Sequence, residues 1–151
     1  MTKMTKMTKC SEVMTKDPVV CMPSDPVADV ARVMKEEDIG PIPIVEDAET
    51  RRLIGMVTDR DLVLRMVAEG RDSKTTKAEE VMSLKLVTCH ADDDVQKALD
   101  AMSENQLRRI PVVDDENSIV GIIAQADVAT RVNQPEKTAA MVKKISRSKT
   151  K

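Results

Sequence analysis

Shift the chain by 68 positions and residues 8–47 fall on residues 76–115, with fifteen identities in the forty aligned positions. Thr8, Lys9, Glu12, Val13 and Met14 meet Thr76, Lys77, Glu80, Val81 and Met82. Val19, Cys21, Asp25 and Val27 meet Val87, Cys89, Asp93 and Val95, and Ile42, Pro43 and Val45 meet Ile110, Pro111 and Val113. Two extra residues within Ala48 to Leu53 change the offset to 66, after which Gly55, Asp61 and Arg65 meet Gly121, Asp127 and Arg131. A unit this long exceeds the usual solenoid periods, and two copies point to a pseudo-twofold pair. Neither copy is long enough to bury a good core alone, so the two are expected to pack together.

Both copies read as β-α-β-β-α. In copy one, Val19 to Met22 is a β-branched run and reads as a strand. Ser24-Asp25-Pro26 supplies a cap and a proline for the first turn of a helix, and Val27, Val30, Ala31 and Met34 follow on one apolar face. Ile42 to Val45 and Leu53 to Val57 read as strands, and Asp59 to about Glu69 as a second helix ended by Gly70. Copy two gives a strand from Leu86 to Cys89, a helix from about Asp94 to Glu104, strands at Ile110 to Val113 and Ile119 to Ile123, and a helix from about Gln125. The fold class is α+β. Residues 1–7 are an expected disordered, low-complexity start, 8–71 the first repeat, 72–134 the second, and 135–151 a basic C-terminal helix or tail.

The side-chain inventory narrows the functions. The 151 residues include 24 basic and 26 acidic ones and no Phe, Tyr or Trp. Near-balanced charge gives no whole-molecule attraction to nucleic acid. Aromatic platforms for single strands are excluded. No apolar run approaches a membrane span and no signal peptide is visible, so a cytoplasmic protein is expected. Cys10, Cys21 and Cys89, with the single histidine His90, form no familiar metal spacing. No nucleophile–base pair appears, and no enzyme is expected.

One stretch calls for a closer reading: Gly55-Met-Val-Thr-Asp-Arg-Asp61. Thr58 can cap the helix that follows, and Asp61 lies in the first turn, where the positive dipole end favours a carboxylate. The same carboxylate accepts hydrogen bonds only, which suits the adjacent hydroxyls of a ribose. Both readings, cap and site, are open on the residues alone. In copy two the frame is Gly121-Ile-Ile-Ala-Gln-Ala-Asp127, where Ala124 replaces the hydroxyl.

The ordered copies, "VMTKDPVVCMPSDPVADVARVMKEEDIGPIPIV" with "LIGMVTDRDL" and "VMSLKLVTCHADDDVQKALDAMSENQLRRIPVV" with "IVGIIAQADV", resemble a pair of cystathionine-β-synthase (CBS) domains over about residues 8 to 133. The resemblance implies tandem CBS repeats packed as a pseudo-twofold pair. It implies a stand-alone regulatory module that binds an adenosine-containing ligand (AMP, ADP, ATP or S-adenosylmethionine) in clefts between repeats. The adenine nucleotide would be a ligand, with no cofactor and no metal. By this analogy one site contains Met56, Thr58, Asp61, Leu86, Val87, Thr88, Arg108, Arg109, Ile110 and Pro111. Val87 and Ile110 would flank the purine, and Arg108 or Arg109 would face phosphate. The second site would contain Asp127, Val19, Val20, Cys21, Gly40, Ile42 and Pro43. It lacks both the hydroxyl and the arginines, so weaker binding is expected there.

The helix "DRDLVLRMVAEG" carries Leu62, Val63, Leu64, Met66 and Val67, more apolar surface than one core face requires, which suggests a second packing surface. The resemblance to CBS pairs, each like half of a disc completed by a second pair, then implies a homodimer through these helices. Two alternatives stand beside the nucleotide reading. One is a redox or metal sensor using Cys21, Cys89 and His90. The other is an adaptor whose basic tail, with Lys143, Lys144 and Arg147, meets nucleic acid or an acidic partner.

Overall fold

In a computed structural model, residues 8–131 are described, with side chains through Val128. They divide into two compact units. Residues 19–86 and 116–119 form one, the copy-one unit; residues 8–18, 87–115 and 120–131 belong to the other, the copy-two unit. The units do not follow the sequence copies from end to end. The leading segment of copy one, residues 8–18, belongs to the unit built on copy two, and residues 72–86 belong to the unit built on copy one.

The copy-two unit contains helix α1 (Cys10–Val13), strand β1 (Thr15–Lys16), strand β4 (Cys89–His90), helix α5 (Val95–Asn105), strand β5 (Arg109–Val113), strand β6 (Ile119–Ala124, which enters this unit at Val120) and helix α6 (Gln125–Arg131). Its sheet has the order β1-β6-β5-β4, with β1 antiparallel to β6 and β4 parallel to β5. Helix α5 buries Val95, Ala98, Leu99 and Met102, the expected i, i+3, i+4, i+7 face, against Ile110, Val112 and Ile123.

The copy-one unit contains helix α2 (Val27–Glu37), strands β2 (Ile42–Val45) and β3 (Leu53–Val57), helix α3 (Asp59–Leu62) and helix α4 (Ala78–Val81). The antiparallel β2–β3 pair is extended by a parallel bridge from Cys21 to Ile44 and an antiparallel bridge from Met56 to Ser83. Its strand order therefore repeats that of the other unit, with the outer members reduced to single bridges. Val27, Val30 and Met34 of α2 are buried with Ile42, Ile44 and Val57. Each such aliphatic side chain contributes about 1.5–3 kcal/mol by leaving water.

Several expectations shift. The strand read at Val19 to Met22 is one bridge at Cys21, whose N–H meets the Pro43 carbonyl at 3.0 Å and whose carbonyl takes the Val45 N–H at 3.0 Å. Pro43 has no N–H to extend the ladder. Pro111 stands at the same place in β5, and the strand read from Leu86 starts only at Cys89. Ser24 and Asp25 do not cap α2: Pro26 is the cap residue, and the Asp25 carboxylate takes the Met22 N–H at 2.8 Å instead. Helix α2 ends with Asp38 at φ 54° and α5 with its counterpart Gln106 at φ 56°, both left-handed.

The helix read as one element from Asp59 to Glu69 changes register. Helix α3 covers Asp59–Leu62, and Val63–Val67 continues as a π-helix, with the Ala68 N–H bonding the Val63 carbonyl at 2.9 Å. Gly70 follows at φ 65°, as a helix-ending glycine should. Residues 1–7 and 135–151, and with them Lys143, Lys144 and Arg147, lie outside the described residues.

Candidate functional site

Thr58 leaves β3 in an extended conformation and caps α3. Its Oγ1 accepts the Asp61 N–H at 3.1 Å, and Asp61 Oδ2 accepts the Thr58 N–H at 2.9 Å. The two residues form a reciprocal capping box, the local role that the spacing allows. Asp61 Oδ1 stands 4.0 Å from Arg65 Nε, one helical turn on. Arg65 in turn donates from Nη1 to the carbonyls of Val81 at 2.9 Å and Met82 at 3.2 Å. The Asp61 side chain retains 15% of its exposure; one carboxylate oxygen serves the backbone and the other has, among the described residues, a single distant cation.

Asp127 has a different setting in the copy-two unit. Its Oδ2 accepts the Ala124 N–H at 3.1 Å, so half of the box survives without a hydroxyl at 124. A second hydroxyl nonetheless arrives from another segment: Thr15 Oγ1, on β1, lies 3.5 Å from the same oxygen. The substitution of Ala124 for Thr58 therefore does not strip Asp127 of a hydroxyl neighbour. Sequence reading missed Thr15 because only strand pairing brings it to β6. Arg65 was missed too, although its place four residues beyond Asp61 on one helix was a signal that could have found it.

The other expected site residues fall into two groups. Met56, Thr58, Asp61 and Leu86 belong to the copy-one unit, with Val19, Val20, Cys21, Gly40, Ile42 and Pro43; Val87, Thr88, Arg108, Arg109, Ile110 and Pro111 belong to the copy-two unit, with Asp127. Ile110 and Ile42 are fully buried core side chains, and Pro111, Pro43 and Cys21 are buried too. The inward face of each strand claims these side chains. Val87 and Thr88 are half-buried, Arg108 is exposed and Arg109 half-buried. The Arg108 carbonyl takes the Gln125 N–H at 3.0 Å, which ties the start of α6 to the start of β5.

The three thiols are buried and free. Cys21 and Cys89 belong to different units, and His90 is half-exposed, with Nδ1 3.9 Å from Asp115 Oδ1. Burial, helped by Asp25 and Asp29, pushes the Cys21 thiol up to about 11. Among the described residues no group of three or more His, Cys, Asp or Glu side chains could hold a metal ion. The described residues also contain no helix long and apolar enough to cross a membrane.

The geometry can be set beside known proteins. A model of the CBS domain matches residues 10–68 and 78–133. Over 140 residues the chain is 35% identical to the CBS domain-containing protein YhcV of Bacillus subtilis, covering 93% of this chain and 96% of that protein. Hypoxic Response Protein I, solved with two coordinated zinc ions, superposes with a TM-score of 0.72 at 35% identity, over 82% of this chain and 98% of that one. The CBS domain pair of protein MJ0100, solved in complex with 5′-methylthioadenosine and S-adenosyl-L-methionine, gives a TM-score of 0.68 at 26% identity, over 82% of this chain and 94% of that one.

Proposed function

Because the chain belongs to the CBS domain family, whose stand-alone pairs are regulatory ligand-binding modules, we propose that it senses an adenosine-containing ligand through Asp61. The observation that carries this reading is the division of labour in the Asp61 carboxylate. Oδ2 is spent on the Thr58 N–H, while among the described residues Oδ1 meets only Arg65 Nε at 4.0 Å. A ribose diol offers two donors to that oxygen, and hydrogen bonds to a charged group contribute roughly 1.5–3 kcal/mol each. The MJ0100 pair, with its bound 5′-methylthioadenosine and S-adenosyl-L-methionine, supports the ligand class. Arg108 and Arg109 are the candidates for phosphate, since neither guanidinium has a hydrogen bond or ion pair among the described residues. The nucleotide acts as a regulatory ligand, not a cofactor, and shifts an equilibrium only through differential affinity for two arrangements.

Asp127 is the weaker of the two ribose acceptors in this reading, because no counterpart of Arg108 and Arg109 stands at Gly40 and Pro41. Isothermal titration with AMP, ATP and S-adenosylmethionine, with GTP as control, tests both statements. The wild type should bind an adenosine ligand, and Asp61→Asn should weaken it by roughly ten- to a hundredfold. Absence of binding by every adenosine ligand would overturn the reading. Equal losses from Asp61→Asn and Asp127→Asn would overturn the inequality alone.

A homodimer belongs to the same proposal. Val63, Leu64 and Val67 keep 55%, 48% and 76% of their exposure, while Met66 between them is buried. The π-helix thus turns one residue inward and leaves an apolar strip outward, which a second copy of the same strip would cover.

A further inference from the structure

The third cysteine, Cys10, has no part in the ligand reading, yet it shares a core with Cys89. Both belong to one cluster of buried side chains in the copy-two unit, 0% and 3% exposed. Cys10 Sγ also lies 3.9 Å from the Asp94 carbonyl, and Cys89 Sγ lies 3.8 Å from the Pro111 carbonyl. The backbone holds both partners in place. The Cys10 N–H donates to the Asp93 carbonyl at 2.8 Å, the Ser11 N–H to Ala91 at 3.0 Å, and the Val95 N–H to Thr8 at 2.7 Å.

The duplication supplies an internal control. Cys89 corresponds to Cys21, and Cys10 corresponds to Ala78. Ala78 is fully buried in the copy-one core, in the same cluster as Cys21. A methyl group therefore satisfies the packing at this position of the fold. The thiol at position 10 adds chemistry that the core does not require. Helix α1 is only four residues long, so Cys10 is the thiol that meets an oxidant when the segment opens, and Cys89 is the resolving thiol.

We propose that Cys10 and Cys89 form a reversible dithiol–disulfide couple that latches the segment from Lys9 to Lys16 onto the copy-two core. The oxidant is a small-molecule disulfide. Opening of the four-residue helix α1 exposes Cys10. Its thiolate attacks one sulfur of the oxidant, the sulfur–sulfur bond breaks, and one small thiol leaves. As the segment redocks, the Cys89 thiolate attacks Cys10 Sγ and expels the oxidant's second half as the second small thiol. Two protein thiols lose two electrons, and one small disulfide is reduced to two thiols. The latched segment carries Met14, which covers Gly121, and Thr15, which approaches Asp127, so the couple sets how firmly both are held.

The full chain, incubated with oxidised glutathione and digested with trypsin without reduction, tests this. Peptides 10–16 and 86–97 should be recovered joined, and dithiothreitol should separate them. Cys21 should remain available to alkylation after unfolding. Oxidation closes a long loop, and the melting temperature should rise by roughly 10 °C in the wild type. Cys10→Ala, which copies Ala78, should fold and show no rise. Recovery of the two peptides unlinked, a link from Cys89 to Cys21, or an equal rise in Cys10→Ala would overturn the proposal. Because the peptide link is read on the wild type, the test does not depend on the variant folding.

Discussion

Met82 lies over Gly55 so closely that a methyl group added to the glycine would stand 2.5 Å from the methionine sulfur. Met14 covers Gly121 in the same way, and a methyl there would stand 2.7 Å from Met14 Cγ. In each unit a residue of the segment contributed by the other sequence copy covers the glycine of the central strand. Gly55→Ala and Gly121→Ala should each cost about 1–3 kcal/mol, since the methionine and its backbone must retreat. Chemical denaturation of the single variants and of Gly55→Ala combined with Met82→Ala checks it. The double change should cost less than the sum of its parts.

Glu80 gives the acid limb of the stability curve. The Lys77 N–H donates to its Oε2 at 2.7 Å and Arg71 Nη2 to its Oε1 at 2.7 Å, and these hold its carboxyl below the ordinary 4.5. A folded value below the unfolded one contributes stability that is present above pH 4.5 and lost as pH falls through the folded value. Melting temperatures followed from pH 6 downward should therefore decline less steeply in Glu80→Gln than in the wild type. At neutral pH the variant should be the less stable of the two.

Gln106 and Asp38 end their helices in the left-handed region, where a Cβ is unfavourable. Glycine at either place should raise stability by about 0.5–1 kcal/mol. Thermal melts of Gln106→Gly and Asp38→Gly, expected to add together because they lie in separate units, provide the measurement.

Removing the apolar strip should release monomers. Light scattering at micromolar concentration should give twice 16.7 kDa for the wild type and 16.7 kDa for Leu64→Lys combined with Val67→Lys. A wild-type value of 16.7 kDa would contradict the homodimer.

The helix faces and inner strands were legible because their signals are local. Val95, Ala98, Leu99 and Met102 repeat at helical spacing, and Ile42–Val45 and Leu53–Val57 are β-branched or apolar runs bounded by turns. The Thr58–Asp61 box was legible for the same reason. What sequence could not supply was partnership at a distance. Glu12 and Glu80 mark equivalent short helices, but their similarity does not say that each docks beside the other copy's sheet. For that reason the meeting of Cys10 with Cys89, and of Thr15 with Asp127, went unseen. The π-helix at Val63–Val67 escaped because one shifted hydrogen bond leaves the apolar spacing almost unchanged.

The exchange of leading segments has a consequence for ancestry and for dissection. A half-length chain carrying a single copy would lack the edge strand and the methionine lid its own sheet needs. It could complete itself only by borrowing both from a sister molecule, as an intertwined pair. Gene fusion would have turned that trade between molecules into one within a chain, and scissors at the midpoint would undo both halves together.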